Sequence, residues 1–475
     1  MVRSFLAAVL ASALATPATA QTSTTTTLPK ARVLYTTAAV PNRVEGFCLG
    51  PNGGMALRPV FQEDAADNPR RLLIPNKPDG TIAGTDGDVL YVAGRHRVQS
   101  FQIGVNGGLE PIGTVQLENA NPLDIAVNAD RSHIYIPNRR SNRVEAYALN
   151  PDGGIIGDVN MTSCARVPND VTLQDLEVGM SNGTEVLYVS EATNQSVAGK
   201  KGRIDIFQLT DGELPDLYNG ADPDAALRCG NTTTTSTTLV PTTSSTSLTT
   251  LTTTVTTTST STTVDTRFTE TLSTRKKMRG PGPFVLASKN VSGEYQFVYV
   301  YDIYARRVIE FDLPNHGLFE VDEEEQPRVA ATGELGRFLD LIAFEGSGDP
   351  IERTLLGAAD NQGRVRTFAL KMDQNGEFTE VPKNPRLHQT NKIFDSTPVR
   401  ITVGAMEDSS IVLYVPSGEA NRIHAYRILS TKKGLFPEAK AFSSTEKRQA
   451  TFPNDAAVAH IAGSCPCAPS AGTCP

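Results

Sequence analysis

Arg143-Val144-Glu145-Ala146-Tyr147 is one of seven copies of a single short run, and its recurrence decides the fold. The unit is Arg, then Val or Ile, two variable residues, then Phe or Tyr. It returns at Arg43-Val44 to Phe47, Arg97-Val98 to Phe101, Arg203-Ile204 to Phe207, Arg307-Val308 to Phe311, Arg364-Val365 to Phe368 and Arg422-Ile423 to Tyr426. β-Branched and aromatic residues packed into so short a run are strand chemistry. Repeats at this period point to propellers or other repeat arrays.

Reading outward from each copy gives three more strands. Ahead of it lies an apolar run such as Val89-Leu90-Tyr91-Val92 or Val412-Leu413-Tyr414-Val415. Behind it comes a turn such as Asn106-Gly107-Gly108 or Asp152-Gly153-Gly154, then a short strand. Glycine at such a turn permits positive φ and lets the hairpin close. Further upstream sits Pro, a variable residue, a charged residue and an apolar run, clearest at Pro122-Leu123-Asp124-Ile125-Ala126-Val127. Four short antiparallel strands per repeat make a propeller blade.

The two ends fix the count and the closure. The first repeat starts at its second strand, Val33-Leu34-Tyr35, and the matching first strand stands near the other end, at Pro453-Asn454-Asp455-Ala456-Ala457-Val458. A blade assembled from both ends closes a ring and removes open sheet edges. The expectation is an all-β, seven-bladed propeller over 33–461, four antiparallel strands per blade, closed by the N- and C-terminal strands in one blade.

The step from Arg203 to Arg307 is longer than the others and contains 231–264, mostly Thr and Ser. Such a segment has too little apolar surface to offset ordering entropy, so it reads as a disordered loop within one domain. Residues 1–20 read as a signal peptide, with Arg3, an apolar run from Phe5 to Ala15 and the small residues Ala18-Thr19-Ala20. Residues 21–32 form a Thr-rich linker and 462–475 a tail containing Cys and Pro. The expected location is secreted, periplasmic or cell-surface. No run is long and apolar enough for a membrane span.

The net charge of −8 argues against a nucleic-acid partner, which needs clustered Lys and Arg. The six cysteines permit disulfides in an exported chain. Cys164 and Cys229 lie in loops leading into adjacent first strands. Cys48 and the tail cysteines can staple the closing blade, in a pairing that the spacing leaves open.

The runs Leu90-Tyr91-Val92, Arg143-Val144-Glu145-Ala146-Tyr147 and Pro122 to Val127 resemble the seven-bladed propellers of the 6-phosphogluconolactonase-like and YVTN-repeat families. The resemblance implies that first strands line a central channel, and that their starts share one face with the loops between second and third strands. Three sets of residues then meet at that face. The first is the charged position of the first strands: Arg71, Asp124, Asp170, Asp340, Arg400 and Asp455, with Val285 in the remaining blade. The alternative for these is pairing with one another or with neighbouring backbone amides. The second follows the second strands: Asn138, Glu191, Asp302 and Asp360, with Gly94 and Ser417 at matching places. The third is the repeated Arg itself, four residues from the aromatic and so on the same strand face.

The resemblance also implies lactone hydrolysis, and members of the lactonase branch commonly carry Pro-His where a first strand starts. The residue after that Pro here is Leu123, Asn169, Val399, Asn454, Arg70 or Phe284, never His. There is no G-x-S-x-G elbow, and His96 and His424 alone lie near the face as candidate bases. The reading from these residues is a binding or surface-interaction scaffold acting through the channel face. The alternative is a lactonase-like hydrolase of sugar lactones or related carbohydrate derivatives. Expected partners are a polar small molecule, a glycan or a protein. A monomer is expected, with no cofactor and no metal, because no loop has the dense Asp, Asn and Gly of a calcium site.

Overall fold

Strand-forming runs separated by Gly, Asn and Asp turns build seven antiparallel sheets. The computed structural model describes residues 31–75, 88–117, 120–157, 161–166, 171–181, 184–193, 203–214, 281–289, 295–304, 306–312, 328–331, 338–344, 355–360, 364–369, 387–389, 400–406, 410–431, 434–447, 452–461, 463 and 465. The expected leader, the Thr-rich loop and nearly all of the tail lie outside them.

Sheet one joins Ala456–Ile461, Ala31–Ala38, Arg43–Leu49 and Phe61–Asp64 in that order. Sheet two holds Arg71–Leu73, Val89–Ala93, Arg97–Ile103 and Leu109–Gln116. Sheet three holds Ala126–Val127, His133–Asn138, Arg143–Ala148 and Met161–Arg166. Sheet four shows three strands among the described residues, Val171–Ser181, Thr184–Thr193 and Arg203–Gln208. Sheet five holds Pro281–Lys289, Tyr295–Asp302, Arg307–Asp312 and Arg328–Ala331. Sheet six holds Phe338–Phe344, Leu355–Asp360, Arg364–Ala369 and Leu387–Gln389. Sheet seven holds Thr402–Ala405, Ile411–Ser417, Arg422–Thr431 and Gly434–Pro437, with Ser443–Ser444 also paired to its third strand. The chain is an all-β propeller. Among the described residues sheet four shows three strands and sheet seven five. No helix among the described residues is long and apolar enough to cross a membrane.

Among the described residues the core lies between sheets, where apolar side chains of neighbouring sheets pack together. Tyr35, Val33 and Cys48 of sheet one pack with Leu90, Val92 and Phe101 of sheet two. Tyr91 and Val98 of sheet two pack with Ile134 and Tyr147 of sheet three. Tyr135 and Val144 pack with Leu187 and Phe207, and Tyr188 and Ile204 with Phe284 and Val298. Val412 and Tyr414 of sheet seven pack with Leu34 and Phe47 of sheet one.

In sheets one, two, three and seven a tyrosine joins the neighbouring sheet by a hydrogen bond as well. Tyr35 donates its hydroxyl to the Gly107 carbonyl of sheet two at 2.7 Å, and Tyr91 to Gly153 of sheet three at 2.8 Å. Tyr135 donates to Gly212 of sheet four at 2.6 Å, and Tyr414 of sheet seven to Gly53 of sheet one at 3.0 Å. A phenol buried this deeply needs a partner for its O–H. The turn glycine can supply one because it lets the carbonyl come close: Gly153 sits at φ +81°, where a Cβ would stand 2.6 Å from Val89 Cγ2. The Asn/Asp-Gly turns therefore serve contacts between sheets as well as hairpins.

Chain ends meet in sheet one. Ala456–Ile461 pairs antiparallel with Ala31–Ala38, with Val33 opposite Ala459 and Tyr35 opposite Ala457. A disulfide joins Cys48 of the same sheet to Cys465, Cα to Cα 6.0 Å. Cys164 is also disulfide-bonded, and Cys229 lies outside the described residues.

Candidate functional site

Register places the charged residues of the inner strands. In sheets one, two, three and seven the tyrosine repeated in the second strand faces a residue two positions after the charged one. Tyr35 faces Ala457, Tyr91 faces Leu73, Tyr135 faces Ala126 and Tyr414 faces Thr402. Stepping back two residues gives Asp455, Arg71, Asp124 and Arg400, as expected from the sequence. Sheet six has Gly357 at the tyrosine position, opposite Ile342, which puts Asp340 in line. Sheet five has Tyr299 opposite Val285, so Pro283 holds the equivalent place and Val285 does not.

Sheet four brings in a residue that the sequence reading did not name. Tyr188 faces Glu177, so the equivalent residue is Asp175. Asp170 lies outside the described residues, before Val171–Ser181 begins. Pro168-Asn169-Asp170 imitates Pro122-Leu123-Asp124, but the inner strand of sheet four is eleven residues long and shifts register between Leu173 and Asp175. The signal that finds Asp175 is the acid followed directly by Leu or Ile, shared by Asp124-Ile125, Asp175-Leu176 and Asp340-Leu341.

Four of these groups and Asp175 converge. Arg71 Nε lies 2.5 Å from Asp124 Oδ1, and Arg71 Nη1 lies 3.3 Å from Asp455 Oδ2. Arg400 Nη2 donates to the Leu123 carbonyl at 2.7 Å and lies 3.6 Å from Asp124 Oδ1 and 3.8 Å from Asp175 Oδ1. Arg400 stands just before the first strand of sheet seven, and its side chain reaches residues of sheets three and four. The acids are buried, at 3% exposure for Asp124, 9% for Asp175 and 1% for Asp455.

Each acid also holds the next sheet. Asp455 Oδ2 accepts the Leu72 amide at 2.8 Å, Asp124 Oδ2 the Leu176 amide at 3.4 Å and Asp175 Oδ2 the Phe284 amide at 3.2 Å. Pairing with one another and with neighbouring amides is thus what these side chains do in the folded chain. Among the described residues, no group of three or more His, Cys, Asp or Glu is placed to hold a metal ion.

The electrostatics separate the three carboxyls. Burial pushes Asp124 upward, but Arg71 and then Arg400 outweigh it and hold the group down at about 2. Burial and the neighbouring Asp124 push Asp175 well above the usual carboxylate range, against the pull of the arginines. Asp455 is raised by burial despite Arg71 and Arg400. Two neighbouring buried carboxyl groups resist ionising together, so Asp175 ionises less readily than Asp124.

The second set ends up in the sheets. Asn138, Glu191, Asp302, Asp360 and Ser417 each stand opposite the repeated Arg, at Arg143, Arg203, Arg307, Arg364 and Arg422. Asn138 donates from Nδ2 to Glu145 Oε1 at 2.9 Å and accepts the Ser141 amide at 3.2 Å. Asp302 Oδ1 accepts the Tyr304 amide at 3.1 Å, and Glu191 is fully buried. Asn138 and Asp302 therefore hold the hairpin between second and third strands. The repeated arginines pair locally, Arg43 with Glu45 at 2.8 Å and Arg143 with Glu145 at 2.5 Å, while Arg97 donates to the Ala65 carbonyl at 2.8 Å.

Outside the inner strands, Arg70, Arg95 and Arg139 gather on the face where first strands begin. The Arg70 amide donates to Ala93, Arg95 to Asp67 and Arg139 to Ala120, which ties their loops together. Burial and then Arg95 lower the pKa of Arg70, and burial and then Arg70 lower that of Arg139. His96 Nε2 lies 3.7 Å from Asp67 Oδ2. His424 Nδ1 shares a 2.8 Å hydrogen bond with Ser444 Oγ, and burial together with Arg422 lowers its pKa to about 4. A histidine so depressed is a weak base at neutral pH.

Residues 26–173 match the family model described as "Lactonase, 7-bladed beta-propeller". The chain resembles the lactonase propellers. A putative 6-phosphogluconolactonase from Bacteroides fragilis has 15% identity and a TM-score of 0.52, over 91% of this chain and 99% of that one. The Pseudomonas aeruginosa periplasmic gluconolactonase has 12% identity and a TM-score of 0.52, over 91% and 99%. A putative 6-phosphogluconolactonase from Bacteroides uniformis has 13% identity and a TM-score of 0.53, over 91% and 100%. At such identities the structural likeness speaks for the fold alone. No curated protein sequence matches the chain. The segment matching the lactonase model contributes Arg71 and Asp124 to the buried charged centre.

Proposed function

We propose that the protein is a lactonase-like hydrolase of sugar lactones or related carbohydrate derivatives, with its polar centre at Arg71, Asp124, Asp175, Arg400 and Asp455. The observation that carries this reading is the lactonase match over 26–173, which includes two members of that centre. It favours hydrolysis over the scaffold role drawn from the sequence, because the buried cluster offers both a carboxyl of raised pKa and a guanidinium without calling on histidine. Hydrolysis of a lactone needs a proton for the departing ring oxygen and positive charge for the carbonyl oxygen as it becomes anionic. Arg71, with 22% of its side chain exposed, is the group placed to supply that charge. The arginines at 70, 95 and 139 give the adjoining face a positive character suited to acidic sugar derivatives.

In the same proposal the seven sheets form one ring, with the terminal strands sharing sheet one, and the chain works outside the cytoplasm as a monomer after loss of residues 1–20. The pairing of Ala456–Ile461 with Ala31–Ala38 supports the ring, and the Cys48–Cys465 disulfide supports an oxidising compartment. The test is a panel of aldonolactones and homoserine lactones incubated with purified protein and followed by acid release. Turnover of an aldonolactone above the spontaneous rate is expected. Binding of a sugar without turnover of any lactone would restore the scaffold reading.

A further inference from the structure

Asp124 and Asp175 form a pair with unequal access. Oδ1 of both carboxyl groups faces the same Arg400 Nη2, so two acids share one guanidinium nitrogen, and burial with the charge of Asp124 raises the pKa of Asp175. Each has given its Oδ2 to a backbone amide of the next sheet, and Oδ1 of each is turned to the arginines. The side chain of Asp124 is 4% exposed, and that of Asp175 is 11% exposed. Arg71 and Arg400 both address Asp124, at 2.5 and 3.6 Å, whereas Asp175 has Arg400 alone, at 3.8 Å. Asp455 stands beyond Arg71, and Glu177 turns to the Leu286 amide of sheet five at 3.0 Å. The negative charge thus settles on the inner, doubly paired Asp124 and the proton on the more open Asp175.

We propose that Asp175 is the general acid of this centre and that Asp124 is the residue that positions and charges it, an assignment that rests on the hydrolase reading. Water oxygen bonds to the lactone carbonyl carbon, and the carbonyl oxygen takes up the negative charge beside Arg71. As the bond from the carbonyl carbon to the ring oxygen breaks, Asp175 gives its proton to that oxygen, which becomes the hydroxyl of the open acid. The proton shed by the attacking water returns to Asp175 and restores the pair, so one water is consumed for each hydroxy acid formed.

The decisive variants are Asp175→Asn and Asp124→Asn, studied in the full chain. Asparagine at 175 still accepts the Phe284 amide and keeps the size of the aspartate, so the fold is expected to stand. Infrared spectra at pH 7 are expected to contain a protonated carboxyl band that Asp175→Asn removes. On the best aldonolactone, Asp175→Asn is expected to lower kcat at least 100-fold with KM changed less than threefold. Asp124→Asn is expected to move the alkaline limb of the kcat profile to lower pH, which a merely structural role would not do. If Asp175→Asn does not fold, the Asp124→Asn profile decides alone, and an unmoved limb overturns the proposal. Undiminished turnover in Asp175→Asn overturns the general-acid role while leaving the hydrolase reading intact. Wild-type protein inert toward every lactone overturns both.

Discussion

Tyr91→Phe removes one oxygen atom from the junction of sheets two and three and measures how much the repeated tyrosine contact stabilises the fold. Tyr91 is fully buried and donates to the Gly153 carbonyl at 2.8 Å. A hydrogen bond of this kind contributes about 1 kcal/mol net, and a buried acceptor deprived of its donor costs about 1–3 kcal/mol. Loss of about 1–3 kcal/mol is therefore expected. Gly153→Ala attacks the other side: its φ of +81° costs an L-residue about 1–2 kcal/mol, and its Cβ would meet Val89 Cγ2 at 2.6 Å. The Tyr91→Phe/Gly153→Ala double variant should lose less than the two single losses combined, because both act on one contact. Tyr414→Phe should cost as much as Tyr91→Phe, since it makes the same bond from sheet seven to sheet one. Urea unfolding followed by far-ultraviolet circular dichroism reads all four. Losses below about 0.5 kcal/mol for both tyrosines, the size of an ordinary surface substitution, would show that these hydroxyl–carbonyl bonds do not stabilise the junctions between sheets.

Three further outcomes follow from particular groups. Asp175, raised in the folded chain, stabilises below the unfolded carboxylate pKa and loses that contribution as pH rises toward its folded value. Asp175→Asn should therefore match wild type in melting temperature near pH 4 and exceed it at pH 8. His424 is lowered to about 4, so folding is penalised as pH falls from about 6.5 to 4, by roughly 2–3 kcal/mol. His424→Gln should flatten that acid limb in thermal melts. Cys465→Ser opens a link spanning 417 residues, and a loss on the order of 2–5 kcal/mol is expected, measured against wild type without reductant.

Much of the fold was legible because a propeller repeats its packing. The Arg-to-aromatic run marks every third strand, Val33-Leu34-Tyr35 marks a second strand with no predecessor, and Ala456–Ile461 lies beside it. The role of the Gly turns between sheets was not legible, because a tyrosine hydroxyl and a carbonyl 62 residues away carry no shared local pattern. The site was half legible. Arg71, Asp124, Arg400 and Asp455 follow from aligned inner strands, and Asp175 was hidden by a proline motif five residues too early and a shifted register. That Arg400 reaches Asp124 and Asp175 depends on a long side chain's extent, which strand alignment does not encode.

The measurement closest to the central claim is kcat/KM for the preferred aldonolactone in wild type and in Arg71→Gln, with circular dichroism to show that both are folded. The account predicts turnover in wild type and a loss of about 100- to 1000-fold in Arg71→Gln, the usual effect of removing one donor to a developing oxyanion. Equal kcat/KM in the two proteins would place hydrolysis elsewhere and contradict the account.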